Sequence, residues 1–308
     1  MSVVVTGASG YIGSALTQRL EAAGNTVRRF SARDREGPAS AAAWRQILEG
    51  AEAVVHLSWR TSLRAAEADP QGDELMNLVP VRRLVEAAAQ LDAPLKVLFA
   101  SSATIVGVDH AGPVSEAAED RPVTVYDRHK QRAEDLLCEA TRHGALRACS
   151  LRLANVYGAG LPSRNADRGI LNMMMARAWH GEQLTLYGDG RYIRDFIHLG
   201  DVVAAFMAAL RTPAVLNGGH YVIATGQGHS LAQAYRWIAD EASACRGRGA
   251  GIVQVAEPPD LMPIERRNFV GDASLFSQKT AWRPTMDLRS GIRHWFAQQC
   301  KVETAGAQ

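Results

Sequence analysis

The sequence predicts an α/β fold, in which a doubly wound parallel sheet of the Rossmann type is followed by a smaller C-terminal α/β lobe. Two observations predict it. Short β-branched runs alternate with amphipathic helical segments in the first half of the chain, and a glycine-rich turn joins the first run to the first helix. Strands separated by helices connect through right-handed crossovers and become parallel neighbours in one sheet.

The first strand is the run Ser2–Val5, and the helix after the turn ends near Gly24. The spacing Gly7-x-x-Gly10-x-x-Gly13 is typical of a dinucleotide site. The first glycine permits a tight turn, the second lets backbone N–H groups approach a pyrophosphate, and the third lets the helix pack on the strand. The alternative is an ordinary strand-to-helix loop without a ligand. A strand directly before the turn and a helix directly after it favour the dinucleotide site over this alternative.

Length and charge limit the classes of protein to consider. The 308 residues, 47% of them hydrophobic, suffice for one large α/β domain or one domain with a smaller lobe. A formal charge of +2 with no basic stripe indicates neither nucleic acid nor a membrane surface as partner. The longest apolar run, Val202–Leu210, is far shorter than the ~20 residues that span a bilayer. No targeting pattern follows Met1, so we expect a cytoplasmic protein.

The cysteines are scattered and form neither a C-x-x-C pair nor a cluster with histidines. This pattern predicts reduced packing residues, without a disulfide framework and without a metal site. The four are Cys138, Cys149, Cys245 and Cys300.

Three more strands are predicted before the middle of the chain, at Thr26–Phe30, Ala53–Ser58 and Leu95–Ser101. Apolar residues at helical spacing predict a helix over Asp73–Gln90, which Pro80 should bend or locally break.

The residue after the second strand, Ser31, bears on the choice of cofactor. In dinucleotide folds an acidic side chain near this point accepts hydrogen bonds from the ribose hydroxyls and repels the 2′-phosphate of NADP. Serine removes that repulsion, and Arg33 can pair with a phosphate. The sequence therefore favours NADP(H), with NAD(H) as the alternative. In that alternative Arg33 points into solvent, or Asp34 supplies the acid.

A second motif indicates proton transfer. Tyr126 and Lys130 are four residues apart in a predicted helix that ends at His143, so both side chains project from one face. An ammonium near a phenol stabilises the phenolate and lowers a pKa that starts near ~10. Ser102 leaves the fourth strand at the edge where doubly wound sheets bind ligands, and its hydroxyl can hold a substrate oxygen. The alternative for Tyr126 and Lys130 is an exposed helix face without a chemical role.

The glycine turn, Ser102, Tyr126 and Lys130 together resemble the extended short-chain dehydrogenase/reductases. More closely, they resemble the NAD(P)-dependent epimerase/dehydratase family, which acts on nucleotide sugars. The resemblance covers roughly residues 1 to 298. It implies a homodimer joined by the helices near Asn77–Gln90 and Tyr126–His143.

Two later segments extend the resemblance to substrate binding. Leu151–Gly158 is similar to the family's strand and loop in which an asparagine, here Asn155, meets the diphosphate of the sugar nucleotide. Tyr187–Gly190 and the segment from Arg194 to Asp201 are similar to the motif whose arginine binds that diphosphate.

The planar guanidinium of arginine offers paired donors to a diphosphate, which makes Arg194 the preferred ligand, with Arg266 or Arg267 as a looser second. The alternative for Arg194 is a salt bridge to Asp195 or Asp201.

Motifs and resemblance together define three predicted sets of residues. The catalytic residues are Ser102, Tyr126 and Lys130. The cofactor contacts are Gly7, Ser9, Gly10, Tyr11, Ile12, Gly13, Ser31, Arg33, Leu57, Ser58, Asn77, Tyr126 and Lys130. The substrate contacts are Ser102, Thr104, Tyr126, Asn155, Arg194 and Arg267.

The predicted domain division follows from these assignments. Residues 1–160, with return segments near 192–215, form the dinucleotide-binding Rossmann domain. Residues 161–300 form mainly the substrate-binding lobe, and residues 301–308 form a flexible tail.

Within the family, three reactions compete. Dehydratases place Asp-Glu directly after the residue that matches Ser102, whereas this chain has Ala103 and Thr104, so elimination of water lacks its proton donors. Two hydride transfers at hexose C4 remain: reduction of an NDP-4-keto-6-deoxyhexose, and C4 epimerisation with retained NAD. The missing acid at Ser31 and the run Tyr126–Arg152, which looks like 4-ketoreductases of deoxysugar pathways, favour reduction. A more remote alternative is a non-catalytic dinucleotide sensor.

Overall fold

The computed structural model describes residues 1–30, 40–108, 110, 112–160, 169–247 and 249–306. The strands are β1 (Ser2–Thr6), β2 (Thr26–Phe30), β3 (Ala53–His56), β4 (Leu95–Ser102), β5 (Leu146–Leu153), β6 (Asn155–Tyr157), β7 (Leu184–Tyr187), β8 (Ile193–His198), β9 (His220–Ile223), β10 (Gly228–Ser230) and β11 (Ile252–Val255). The helices are α1 (Tyr11–Ala22), α2 (Ala41–Leu48), α3 (Leu63–Ala68), α4 (Pro70–Ala88), α5 (Val125–Arg142), α6 (Ile170–Trp179), α7 (Leu199–Arg211), α8 (Leu231–Arg246), α9 (Ser274–Thr280) and α10 (Leu288–Gly306).

The main sheet has six parallel strands in the order β2-β1-β3-β4-β5-β9. The strand order reverses at β1, because β2 lies on one side of it and β3 on the other. Such a reversal leaves a crevice at the carboxyl ends of the strands, where ligands bind in this architecture. The predicted α/β fold with a doubly wound parallel sheet is confirmed.

Helices cover both faces of this sheet, and successive strand residues alternate between two apolar clusters. Val5 joins Leu16 of α1 and Phe206 of α7 in one cluster. Its neighbour Val4 joins Trp44 of α2 in the other cluster. A strand buried on both faces is apolar at consecutive positions, which is why β1 lacks an alternating pattern.

The other strands form a three-stranded sheet, β10-β8-β6, and a two-stranded sheet, β11-β7. Helices α6, α8 and α10 pack around a separate apolar core with these strands, and its members include Tyr157, Met175, Phe196 and Phe296. The chain passes from β5 into β6 through Ala154 alone, so Asn155 stands at the junction between the main sheet and this second core.

Helix α4 runs through Pro80 without the local break that the proline could cause. The Pro80 carbonyl oxygen accepts a hydrogen bond from Trp44 Nε1 at 2.9 Å, so α2 supports the helix at this point. Helix α10 extends to Gly306.

None of the described helices has the length and apolarity to cross a bilayer. Within the same residues, no group of three or more His, Cys, Asp or Glu side chains is arranged to hold a metal ion.

Candidate functional site

The turn between β1 and α1 depends on glycine at two positions. Gly7 has a φ of +68°, and a Cβ there would lie 2.9 Å from the backbone nitrogen of Ser58. A Cβ on Gly13 would overlap the carbonyl oxygen of Gly7. The turn therefore packs directly on the backbone after β3, and side chains at these positions would force them apart.

The N-terminus of α1 opens at this turn. Gly10 is the N-cap residue, and among the described residues no side chain caps it. The first N–H groups of a helix lack partners within the helix and carry a partial positive charge, so this end suits an anion such as a pyrophosphate. The cradle of Gly7, Gly10 and Gly13 fits a dinucleotide for this reason.

Thr6 connects the end of β1 to the residues after β3. Its Oγ1 accepts the N–H groups of Leu57 and Ser58, each at 3.2 Å. Its own hydrogen therefore goes to Nδ1 of His56, 2.9 Å away. Burial, and to a lesser degree the charge of Lys130, lowers the pKa of His56 from 6.5 to about 3, so this imidazole is neutral at ordinary pH.

Tyr11 joins the glycine turn to the loop after β6. Its hydroxyl donates to the carbonyl oxygen of Gly158 at 2.9 Å, and the Gly158 N–H donates to Asn172 Oδ1 at 2.9 Å. Burial raises the pKa of Tyr11 to about 12, so the phenol remains protonated as a donor. Residues Ser31, Arg33 and Asp34, on which the predicted NADP preference depends, lie outside the described residues.

Asn77, predicted as a cofactor contact, is buried and holds the segment after β3. Its Oδ1 accepts the N–H of Arg60 at 2.6 Å, and its Nδ2 donates to the Arg60 carbonyl oxygen at 3.2 Å and to Asp73 Oδ1 at 2.9 Å. Asp73 Oδ2 lies 2.7 Å from His129 Nδ1 on α5. This buried series of hydrogen bonds connects the segment around Trp59 to α5, the helix that carries Tyr126 and Lys130.

Helix α5 begins one residue before Tyr126 because Thr124 and Asp127 form a capping box at its N-terminus. Lys130 Nζ donates to the carbonyl oxygen of Ala100 at 2.6 Å and lies 5.8 Å from the centroid of the Tyr126 ring. The predicted pair therefore meets the carboxyl end of β4, two residues before Ser102.

Aromatic rings surround the ammonium of Lys130, which is only 3% exposed. Its Nζ lies 3.8 Å from the centroid of the Trp59 ring and 4.5 Å from that of Phe99. The faces of aromatic rings attract cations, most strongly in tryptophan, so these rings offset part of the cost of burying the charge. The indole Nε1 of Trp59 is buried and has no hydrogen-bond partner among the described residues.

The hydroxyl of Ser102 belongs to a buried chain that ends on Asp127. Ser102 Oγ lies 2.7 Å from Thr104 Oγ1, and it accepts the N–H of Thr104 at 3.3 Å. Thr104 Oγ1 donates in turn to Asp127 Oδ1. Since Asp127 directly follows Tyr126, this chain brings Ser102 to the predicted catalytic helix.

Arg194 holds a backbone segment. It is 5% exposed, and it donates to the carbonyl oxygens of Ile193, Glu265 and Arg267. Burial lowers its pKa to about 10, which leaves it cationic at neutral pH.

The two carboxylates proposed as alternative partners of Arg194 bind elsewhere. Asp195 accepts from Thr225, and Asp201 accepts from Thr285.

The segment that Arg194 holds completes the site in two ways. Arg267 Nη2 donates to Asn155 Oδ1 at 3.1 Å, so two predicted substrate ligands meet, and Arg194 contacts the backbone of one of them. Ile264, in the same segment, packs in a cluster with Tyr126 and leaves that phenol 5% exposed. The arrangement pairs a buried phenol, which can transfer a proton, with an arginine and an amide, which can bind an anionic group.

Four residues that shape this site are absent from the predicted sets: Trp59, Asp73, Asp127 and His129. Only Asp127 carried a local signal, because Thr-x-x-Asp is the pattern of a capping box. The other three act through contacts between elements that are distant in the chain.

Comparison with known proteins gives the family. The NAD dependent epimerase/dehydratase family matches residues 3–224. A UDP-glucose 4-epimerase of Mycolicibacterium smegmatis is 27% identical over 312 residues, which cover 95% of this chain and 96% of that protein. A dTDP-6-deoxy-L-talose 4-dehydrogenase (NAD(P)(+)) of Kitasatospora kifunensis is 27% identical over 320 residues, which cover 96% of this chain and 95% of that protein.

A solved structure agrees in fold. The UDP-glucose 4-epimerase of Thermotoga maritima, determined with UDP-glucose, has a TM-score of 0.86 to this chain at 23% identity. The match covers 98% of this chain and 100% of that one. With the family match over most of its length, this chain belongs to the NAD-dependent epimerase/dehydratase family, and it is an extended short-chain dehydrogenase/reductase that uses a nicotinamide dinucleotide.

Proposed function

We propose that this enzyme reduces the 4-keto group of an NDP-4-keto-6-deoxyhexose with NADPH. The observation that carries the proposal is the meeting of Lys130, Tyr126 and the Ser102 chain at the end of β4, in a family that transfers hydride. The bound nicotinamide supplies the hydride to C4 of the sugar. Tyr126 gives its phenolic proton to the oxygen on that carbon, and Lys130 stabilises the phenolate that remains.

The two residues after Ser102 count against a dehydratase. Ala103 has no proton to give, and the hydroxyl of Thr104 is engaged by Asp127 and Ser102. Elimination of water needs an acid and a base at the sugar in addition to Tyr126. Hydride transfer without elimination needs neither.

We assign the diphosphate of the substrate to Arg267 and Asn155, and we assign Arg194, the preferred ligand in the sequence, to support of Arg267. Arg267 and Asn155 touch each other, and the buried cation of Arg194 supports the segment that carries Arg267. The guanidinium of Arg267 and the side-chain amide of Asn155 together supply several N–H donors in fixed directions, which suits the binding of two phosphate groups. The glycine turn and the open N-terminus of α1 hold the pyrophosphate of the cofactor.

NADPH is preferred over NADH in this proposal because Ser31 replaces the acidic residue that repels a 2′-phosphate, and Arg33 follows it. The relative from Kitasatospora kifunensis is named as using either dinucleotide. Titration of the protein with NADPH and with NADH, followed by fluorescence of the reduced nicotinamide, tests the preference. Tighter binding of NADH would overturn it.

C4 epimerisation of an NDP-hexose is the second candidate, because the relative from Mycolicibacterium smegmatis is a UDP-glucose 4-epimerase. The same tyrosine, lysine and serine serve both reactions, and the two differ in net consumption of the cofactor.

One experiment separates the candidates. The protein is incubated with NADPH and an NDP-4-keto-6-deoxyhexose, and the absorbance of the reduced cofactor is followed. Loss of NADPH in proportion to substrate supports the reductase. No loss, together with interconversion of UDP-glucose and UDP-galactose, supports the epimerase, whereas no reaction with either substrate overturns both.

We also propose that two copies of this chain associate through α4 and α5. Leu75 and Met76 on α4 are 66% and 60% exposed, which is unusual for large apolar side chains. The groove between the two helices is lined by basic and acidic side chains. In a two-fold dimer, the basic side chains of one copy can therefore pair with the acidic side chains of the other. Its lining residues are Leu78, Arg82, Arg132, Asp135, Leu136 and Glu139.

Sedimentation of the wild-type protein tests this association, and a dimer is the expected result. Met76→Glu should give monomers, whereas Val253→Glu, at an exposed apolar position on β11, should leave the dimer intact. A wild-type monomer, or a Met76→Glu dimer, would contradict the proposal.

A further inference from the structure

The hydroxyl chain from Ser102 to Asp127 has a definite direction. Asp127 is fully buried, and its carboxylate accepts every hydrogen bond that joins it to Thr104 and Thr124. Thr104 donates its single hydroxyl hydrogen to Asp127 Oδ1 and has none left for Ser102. The contact between Ser102 and Thr104 can then form only if Ser102 supplies the hydrogen.

This direction determines what Ser102 can offer a substrate. Its hydrogen points to Thr104, and one of its lone pairs accepts the Thr104 N–H. One lone pair remains, and it accepts a hydrogen bond but cannot donate one. A sugar hydroxyl satisfies that lone pair, whereas a ketone oxygen, which has no hydrogen, does not.

We infer that Asp127 is a positioning residue that acts through Thr104. It turns the hydroxyl hydrogen of Ser102 away from the substrate, and Ser102 therefore binds the 4-hydroxyl form of the sugar in preference to the 4-keto form. The inference rests on the proposed function, because it requires a sugar whose C4 oxygen lies against Ser102.

The same chain bears on the reaction. When the keto sugar is reduced, the hydride adds to C4, the carbonyl π bond becomes the new lone pair on oxygen, and Tyr126 transfers its proton to that oxygen. The hydroxyl formed in this way has a hydrogen to donate. Ser102 can accept it, because the hydrogen bonds to Thr104 and Asp127 leave a lone pair of Ser102 free for the substrate. The chain thus stabilises the reduced sugar relative to the ketone.

The neighbouring contacts explain why the chain is rigid. Ser102, Thr104, Thr124 and Asp127 are all at least nine-tenths buried, so water does not compete for their hydrogen bonds. Thr124 and Asp127 also form the capping box of α5, which fixes the carboxylate at the start of the catalytic helix.

Thr104 offers the cleanest test because its replacement leaves the capping box intact. Thr104→Val keeps the shape of the side chain and removes the hydroxyl, and Thr104→Ser keeps the hydroxyl. Dissociation constants are measured for the 4-hydroxyl sugar nucleotide in the presence of NADPH and for the 4-keto sugar nucleotide in the presence of NADP⁺. Neither mixture turns over, so binding is read without catalysis.

In the wild-type protein the hydroxyl form should bind more tightly than the keto form. Thr104→Val should reduce this preference about tenfold, as expected for one buried hydrogen bond, and Thr104→Ser should restore it. In a Ser102→Ala background, Thr104→Val should not change the preference. Asp127→Asn, whose amide can donate a hydrogen to Thr104, should reduce the preference as Thr104→Val does.

Other results overturn the inference. Equal weakening of both sugar forms in Thr104→Val indicates a packing defect or a direct contact of Thr104 with the substrate. A preference that Thr104→Val leaves unchanged, or changes equally when Ser102 is absent, shows that Thr104 does not act through Ser102. Failure of the wild-type protein to bind either sugar form overturns the proposed function itself, and the inference with it.

Discussion

Nη2 of Arg267 donates a hydrogen bond to Oδ1 of Asn155 at 3.1 Å, across a separation of more than one hundred residues in the chain. Asn155 begins the strand that leaves the main sheet, and Arg267 ends a segment that the buried guanidinium of Arg194 holds by its carbonyl oxygens. This contact places Arg267 against the start of β6, at the edge where the substrate is expected. Its residues therefore provide a direct test of the proposed diphosphate site.

Replacement of the guanidinium tests that site. Arg267→Gln should weaken binding of the nucleotide sugar about tenfold to hundredfold, because it removes a charged hydrogen-bond donor. Arg293→Gln is the matched control, since the Arg293 side chain is 63% exposed and pairs with Glu241. Calorimetric titration with the nucleoside diphosphate measures both variants, and equal affinities would exclude Arg267 as a phosphate ligand.

The catalytic phenol provides the second prediction. Tyr126→Phe should lower kcat about 10²- to 10⁴-fold, the range for loss of a general acid, while binding of the cofactor is largely retained because the aromatic ring remains. Tyr187→Phe, at a residue that is 47% exposed, is the control for removal of a phenolic hydroxyl. Near-normal turnover by the Tyr126→Phe variant would remove Tyr126 from the proton-transfer step.

The glycine turn provides the third. Gly13→Ala should abolish cofactor binding and lower the free energy of unfolding by ~1–3 kcal/mol, because the added methyl overlaps the carbonyl oxygen of Gly7. Gly251→Ala is the control, since no atom lies within 4 Å of a Cβ built there. Urea unfolding and cofactor titration report the two effects. A Gly13→Ala variant that binds the cofactor normally would show that the turn relaxes without consequence.

Burial of His56 makes stability depend on pH. Its pKa is about 3 in the folded protein and 6.5 in an exposed histidine, so between these values only the unfolded chain takes up this proton. The stability contributed by His56 is therefore complete above pH 6.5 and is lost as the pH falls toward 3, with a slope of ~1.4 kcal/mol per pH unit.

Unfolding in urea between pH 7.5 and 4.5 measures this slope. His56→Gln should show a shallower loss of stability than the wild-type protein over this range. His143→Gln, at a side chain that is 76% exposed, should follow the wild-type curve. Parallel curves for His56→Gln and the wild-type protein would contradict the assignment.

The ring over Lys130 provides the fifth prediction. Trp59→Leu should lower kcat about tenfold, because the buried ammonium loses the aromatic face at 3.8 Å, and Trp59→Phe should lose less. Trp237→Leu removes a tryptophan that lies 6.0 Å from the guanidinium carbon of Arg289 and serves as the control. An equal loss in Trp59→Leu and Trp59→Phe would show that the indole ring does not act through the cation.

Many of the strands and helix ends can be predicted from the sequence, because they depend on residues that are close together in the chain. Periodicity predicts the second strand at Thr26–Phe30 with the bounds that the structure has. Serine is a preferred N-cap residue, and Ser230 caps α8 with its hydroxyl accepting the Gln233 N–H at 3.1 Å. Pro80 is the instructive failure. Its local effect predicts a bend or a break in α4, but the helix is not broken there, and Trp44 of α2 donates a hydrogen bond to the Pro80 carbonyl oxygen.

The features of the candidate site also fall into two groups: those that local sequence predicts and those that depend on tertiary contacts. The glycine spacing, the Tyr126–Lys130 pair and the hydroxyls after β4 are visible in the sequence, because each depends on residues within a few positions of one another and on the helix or strand that carries them. Only the tertiary structure decided that Asn77 supports the Trp59 segment, that Arg194 grips carbonyl oxygens, and that Asp127 directs Ser102. A hydrogen bond between buried groups depends on which elements pack together, and that packing is a property of the whole chain.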